Sequence, residues 1–159
     1  MKTNQIMVKM VFDRWQSLIK NCDNVLNSIT DETLQKEIVS GKNRGIYLLG
    51  HLIAAHDDLL PLLGLGDKLY PELEEPFLSK PDKSIKEIPS AQELRAIWTE
   101  QNEILSRKFE SLQPDEWFEK HNSVSVEDFA KEPHRNKLNV MLTRVSHLSY
   151  HLGQLILIK

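Results

Sequence analysis

Apolar residues recur at helical spacing along most of this chain, and that period constrains the fold more than any other feature. In residues 4–28 the positions Ile6, Met10, Phe12, Trp15, Leu18, Ile19, Cys22, Val25 and Leu26 repeat this way. No Pro or Gly interrupts them, so one long helix is predicted. Thr30, followed by Asp31 and Glu32, reads as the N-cap and acidic first turn of a short helix to about Val39. A second main helix carries Ile46, Leu48, Leu49, Leu52, Ala55, Leu59, Leu62 and Leu63, and stops near Gly64 with Pro61 bending its last turn. The third opens on Ser90 and Glu93, a capping-box pair, and runs through Leu94, Ile97, Trp98, Gln101, Leu105, Phe109 and Leu112. The fourth, over residues 136–158, presents Met141, Val145, Leu148, Leu152, Leu155 and Ile156 as its apolar stripe.

Two stretches break the pattern. Gly66, Pro71, Pro76, Pro81 and Pro89 forbid a continuous helix over residues 64–90, which reads as a long crossover. Residues 113–133 read as a second irregular stretch, anchored by Trp117 and Phe118, with no strand predicted over residues 122–126. His121 and His134 fall in or beside this loop and read as solvated side chains. The expectation is an all-α fold forming a single domain over residues 1–159.

Charge narrows the function classes. The formal net charge is −3, with both signs interspersed and no basic block, so nucleic acid is not an expected partner. Cys22 is the only cysteine, which leaves no internal disulfide; lying in an apolar pattern, it reads as inert packing. No run approaches the roughly 18 apolar residues of a membrane span, and the N-terminal residues lead into an amphipathic pattern. A cytoplasmic protein without a membrane partner is expected.

The chemistry concentrates in histidines. His147 and His151 are four residues apart, so on a helix their rings stack on one face and can grip one metal ion. They flank the apolar stripe near Val140, Arg144 and Ile158, while Asn139, Thr143, Ser146, Tyr150 and Gly153 take most of the opposite face. His51 lies at a similar margin of the second helix and is the candidate third ligand. Asp58 projects from nearly the same side two turns later, a candidate base or hydrogen-bonding partner for the site. His56 points well away from His51 and reads as a packed or surface residue. Three neutral imidazoles leave a coordination position open, as catalytic centres do, and suit Zn, Ni, Cu or Fe.

Gly50-His51-Leu52, together with His147-x-x-x-His151-x-Gly153-Gln154, resembles the DinB/YfiT-like metalloprotein superfamily. The resemblance implies an up-down-down-up four-helix bundle with a long crossover between the second and third helices. It also implies a divalent metal ion (Zn, Ni or Fe) held by His51, His147 and His151. Gln154 is kept, in a position to hydrogen-bond a ligand. Many members carry an extra His and an Arg just before the Gly-Gln pair, where this chain has Tyr150 and Leu152 around His151. For function, the resemblance implies a thiol-dependent S-transferase acting on small electrophilic substrates, in which the metal carries a low-molecular-weight thiol. A metal-dependent hydrolase and a non-catalytic, stress-related metal-binding bundle are the alternatives. A homodimer is the expected assembly.

Overall fold

The computed structural model describes residues 2–158, and these are helical with no strand among them. The α-helices are α1 (Thr3–Ser28), α2 (Asp31–Leu34), α3 (Gly45–Asp57), α4 (Leu59–Leu63), α5 (Ala91–Glu110), α6 (Val126–Lys131) and α7 (Lys137–Leu155). α1 packs chiefly against α7, and α3 against α5 and α7. The buried apolar residues form one cluster reaching from Val11 to Ile158.

α1 buries Val11, Trp15, Leu18, Cys22 and Leu26, steps of three and four that make one continuous stripe. Ile6 and Met10 fall off that stripe and stay exposed. α2 ends at Leu34, well short of the expected Val39. The chain turns there because Leu34 and Ile38 both bury and Gly41, at φ 78°, reverses the backbone. Glu37 then pairs with Arg44 in an isolated bridge.

The second main helix is broken in two. Pro61 has no N–H to donate to the carbonyl of Asp57, and its ring crowds that carbonyl. The break therefore falls at Asp58, a full turn before the proline. Gly64, at φ 74°, caps α4 in the left-handed conformation. Gly45–Leu63 is in fact long and apolar enough to cross a membrane, with a mean hydropathy of 1.2, contrary to the expectation that no run comes close. Its composition has another cause: 72% of it is buried, with Leu48, Leu49, Leu52, Ile53 and Ala54 packed on several sides.

The crossover is pinned at both ends. The buried Asp57 carboxylate accepts the backbone N–H groups of Leu69 (2.9 Å) and Tyr70 (2.8 Å), holding the chain as it leaves α4. A 3₁₀ turn, Pro71–Leu73, and a π-helical turn, Glu75–Ser79, then bury Leu73 and Phe77 against α3. At the far end Asp82 accepts the Arg44 backbone N–H (2.8 Å) and pairs with the Arg44 guanidinium (2.7 Å), so the crossover itself caps the start of α3.

α5 begins with the expected reciprocal Ser90–Glu93 capping box. Trp117 is buried beside Phe12 and Phe109, ring centroids 4.8 and 5.8 Å away. The irregular stretch hides a helix, α6, started by the Ser125 side chain, which accepts from the Asp128 N–H at 3.0 Å. Its exposed surface, with none of its residues buried, explains why apolar periodicity did not announce it. α7 ends at Leu155, so Ile156, expected in the apolar stripe, lies in the cap and is exposed.

Candidate metal centre

α3 and α7 meet face to face, and that contact brings His51 to His147 and His151. The His147 Nε2 lies 3.0 Å from His51 Nε2 and 3.1 Å from His151 Nε2. Ring centroids are 4.5 to 5.1 Å apart. Among the described residues no carboxylate or thiol joins the group. His51 and His147 are half-buried, and His151 is 9% exposed.

Hydrogen bonds on the far side of two rings set which nitrogen is free. His51 Nδ1 lies 2.9 Å from the Phe77 carbonyl oxygen. A carbonyl only accepts, so Nδ1 carries the proton and the Nε2 lone pair faces the other two rings. His151 Nδ1 donates to Gln154 Oε1 at 2.6 Å, and the Gln154 amide is oriented by donation from its Nε2 to the Tyr150 hydroxyl. His151 Nε2 is therefore also a lone pair pointed inward. His147 Nδ1 is buried with no hydrogen-bond partner.

These constraints leave the cluster short of protons. Two inward lone pairs compete for one proton on His147 Nε2, and if that proton is present the buried His147 Nδ1 is an acceptor without a donor. A cation at the meeting point satisfies all three Nε2 lone pairs together. Tetrahedral nitrogen ligands on a zinc-like ion stand about 3.3 Å apart, close to the two spacings here. The donor set of neutral imidazoles, two of them oriented by outer hydrogen bonds, fits a divalent transition ion.

The electrostatics favour neutral rings. Burial, reinforced by the charges of His151, Arg144 and His51, pushes His147 down to about 4. Burial also lowers His151, with the Gln154 hydrogen bond opposing and His51 adding to the shift. Neutral imidazole is the form that binds metal.

The orientation of His51 has a precondition in Gly50. A Cβ at Gly50 would lie 2.4 to 2.5 Å from three atoms of the Phe77 ring. Glycine lets that ring settle directly against α3, and this places the Phe77 carbonyl on the neighbouring His51. Tyr47 stacks on the other side of His51, rings 14° from parallel, and donates its hydroxyl to the Lys80 carbonyl at 2.8 Å.

Other candidates fall elsewhere. Asp58 pairs with Lys68 at 2.6 Å and makes no hydrogen bond to the three histidines. The carboxylate that organises the neighbourhood is Asp57, which sequence reasoning passed over; one position decides between burial and a cavity wall. His56 is fully buried between Trp15 and Trp98, centroids 4.7 and 5.4 Å away, with neither nitrogen in a well-formed hydrogen bond. Burial first, then Arg144 and His147, hold its proton affinity well below the ordinary imidazole range, while the Asn102 amide acts in the opposite direction. Cys22 is buried, and burial together with the Asp23 charge pushes its thiol up to about 12, which leaves it a packing residue. A cavity of about 590 Å³ lies between α1 and α5, lined by Asp23, Arg95 and Trp98, and none of the three histidines reaches it. The Phe77 carbonyl was beyond sequence reading, because a backbone group carries no signature in residue type.

With that geometry in view, comparison with known proteins gives a consistent answer. Residues 13–155 match the DinB superfamily. The chain belongs to the DinB superfamily. Among solved structures it is similar to the conserved protein of a locus from Enterococcus faecalis, with a TM-score of 0.62 at 12% identity. That likeness covers 98% of this chain and 94% of the other, and it speaks to fold alone. No curated protein matches. In this DinB superfamily chain, then, the three-histidine cluster stands on the observed convergence of donor atoms, and all three residues lie within the matched stretch.

Proposed function

We propose that this DinB superfamily protein is a divalent-metal enzyme that transfers a low-molecular-weight thiol to a small electrophilic substrate. The observation that carries the metal reading is the convergence of three Nε2 lone pairs, two of them fixed by the Phe77 carbonyl and Gln154. His51, His147 and His151 would hold the ion, and Phe77 and Gln154 would keep two of the rings in register. A divalent ion here supplies Lewis acidity, holding a thiol as its thiolate at neutral pH. Thiol transfer suits a cluster with no carboxylate, since hydrolysis also asks for a general acid beside the reacting centre. The framework proposed for the site is an up-down-down-up four-helix bundle built from α1, α3–α4, α5 and α7, located in the cytoplasm. A homodimer through the α1–α7 side is part of the reading: Met7, Met10, Leu142 and Leu157 leave apolar surface exposed there.

Elemental analysis of the purified protein, beside His51→Ala and His151→Ala, tests the site. Near-stoichiometric metal in the wild type and its loss in both variants is expected. Full metal occupancy in either variant refutes the ligand set. Rates with and without added thiol then separate the activities, since turnover that needs no thiol replaces transfer with hydrolysis.

A further inference from the structure

Arg144 sits one helical turn before His147 on α7, so the two side chains share a face. Arg144 is partly buried; its Nε has no contact with solvent and no hydrogen-bond partner. No carboxylate lies within ion-pair distance of it among the described residues. Asp58 is the acid whose charge acts on Arg144, but its carboxylate is held by Lys68 at 2.6 Å, and Lys68 also holds Glu74. A guanidinium has five N–H donors in a rigid fork, and leaving the Nε–H buried without an acceptor is costly. Most buried arginines avoid that by pairing. This one instead lines a cavity of about 490 Å³, whose other walls are Asp58, Pro61, Leu62, Asn122 and Ser123. Asn122 is tied to the wall by donation to the Pro61 carbonyl at 2.7 Å, whereas Ser123 brings a hydroxyl. The volume suits a small molecule.

We propose that Arg144 is the anchor for an oxyanion group, carboxylate or phosphate, of a small molecule bound in this cavity between α4 and α7. The fork geometry matches two oxygens of such a group, and the Ser123 hydroxyl in the same lining can add a donor. The carboxylate of Asp58 on the opposite wall disfavours a second negative charge beside it, so a single anionic group is taken at this point. The inference names a substrate class, anionic small molecules, for the metal-enzyme reading and rests on that reading for its catalytic meaning. The binding step does not need the metal.

The test titrates acetate and, separately, inorganic phosphate into chelator-treated protein while following the arginine Nε–H resonances by NMR. Saturable binding that moves one arginine resonance is expected, weakened at least tenfold in Arg144→Gln and less in Arg144→Lys, with the tighter of the two ions identifying the group. Equal binding in wild type and Arg144→Gln, or no saturable binding of either ion, overturns the proposal. His147→Ala separates the two readings, because it should lose metal and still bind the anion. Thermal melts of Arg144→Gln guard against a folding defect; removing a partly buried cation that has no ion-pair partner should leave the melting temperature equal or higher.

Discussion

Gly50→Ala is a one-carbon change with a worked consequence. The new Cβ would stand 2.4 Å from Phe77 Cε1, whereas ordinary contact begins at 3.4 Å, so the ring has to retreat by about 1 Å. Phe77 is fully buried among α3 and the crossover, and it cannot retreat without moving the π-helical turn that carries its carbonyl. Overpacking of this kind costs about 1–3 kcal/mol. Moving the carbonyl also releases His51 Nδ1, and losing an outer hydrogen bond to a metal-binding histidine weakens affinity about 10- to 100-fold. Urea denaturation reads the first effect, and competition against a chromophoric chelator reads the second. Both should appear together, and a Phe77→Ala background should relieve the clash and so cancel most of the affinity loss caused by Gly50→Ala. Wild-type metal affinity in Gly50→Ala, with stability down by the expected amount, would break the link from Gly50 through Phe77 to His51.

Three further outcomes follow from the same structure. Gly153 lies in α7, and a methyl group added there would meet nothing within 4 Å, so Gly153→Ala should stabilise by about 0.5–1 kcal/mol in chemical denaturation and leave metal affinity unchanged; a loss of either would mean that the glycine face meets a ligand or partner. His147 is held at about 4 when folded but titrates near 6.5 unfolded, so the unfolded chain binds more protons in that window. Stability of the metal-free protein should therefore fall as pH drops from about 6.5 to 4, by up to about 1.4 kcal/mol per unit for each such histidine; His56 and His151 act in the same direction, and a flat profile would refute the assignment. His56→Leu removes a buried ring whose nitrogens make no well-formed hydrogen bond but which Asn102 faces, so stability should change by no more than about 1 kcal/mol without affecting metal content; a loss of several kcal/mol would show that the Asn102 interaction is a strong one.

Much of this was legible from residue order. The 3.6 period located α1, α5 and α7 to within a few residues, because each buries one stripe and leaves the rest to water. The i, i+4 spacing of His147 and His151 fixed their common face, which is a property of any α-helix. Errors came where local signals were weak or were overruled. α6 was missed because it buries nothing and announces itself only through Ser125 and Asp128. Apolar runs such as Gly45–Leu63 look alike whether lipid or protein surrounds them, and only packing distinguishes the two.

By itself the sequence determined that the chain is helical, which residues could ligate a metal, and which histidines share a helix face. The helix period and shared faces depend only on spacing within ten residues, and residue type with the family resemblance named His51 as the third ligand. The tertiary structure decided the rest: that His51, 96 positions from His147, comes within 3.0 Å of it, and that a backbone carbonyl chooses its tautomer. It also decided that Asp57 is buried while Asp58 lines a cavity opposite an unpaired Arg144. Those facts arise from how α3, the crossover and α7 pack together, and packing between distant segments leaves no periodic trace in either of them.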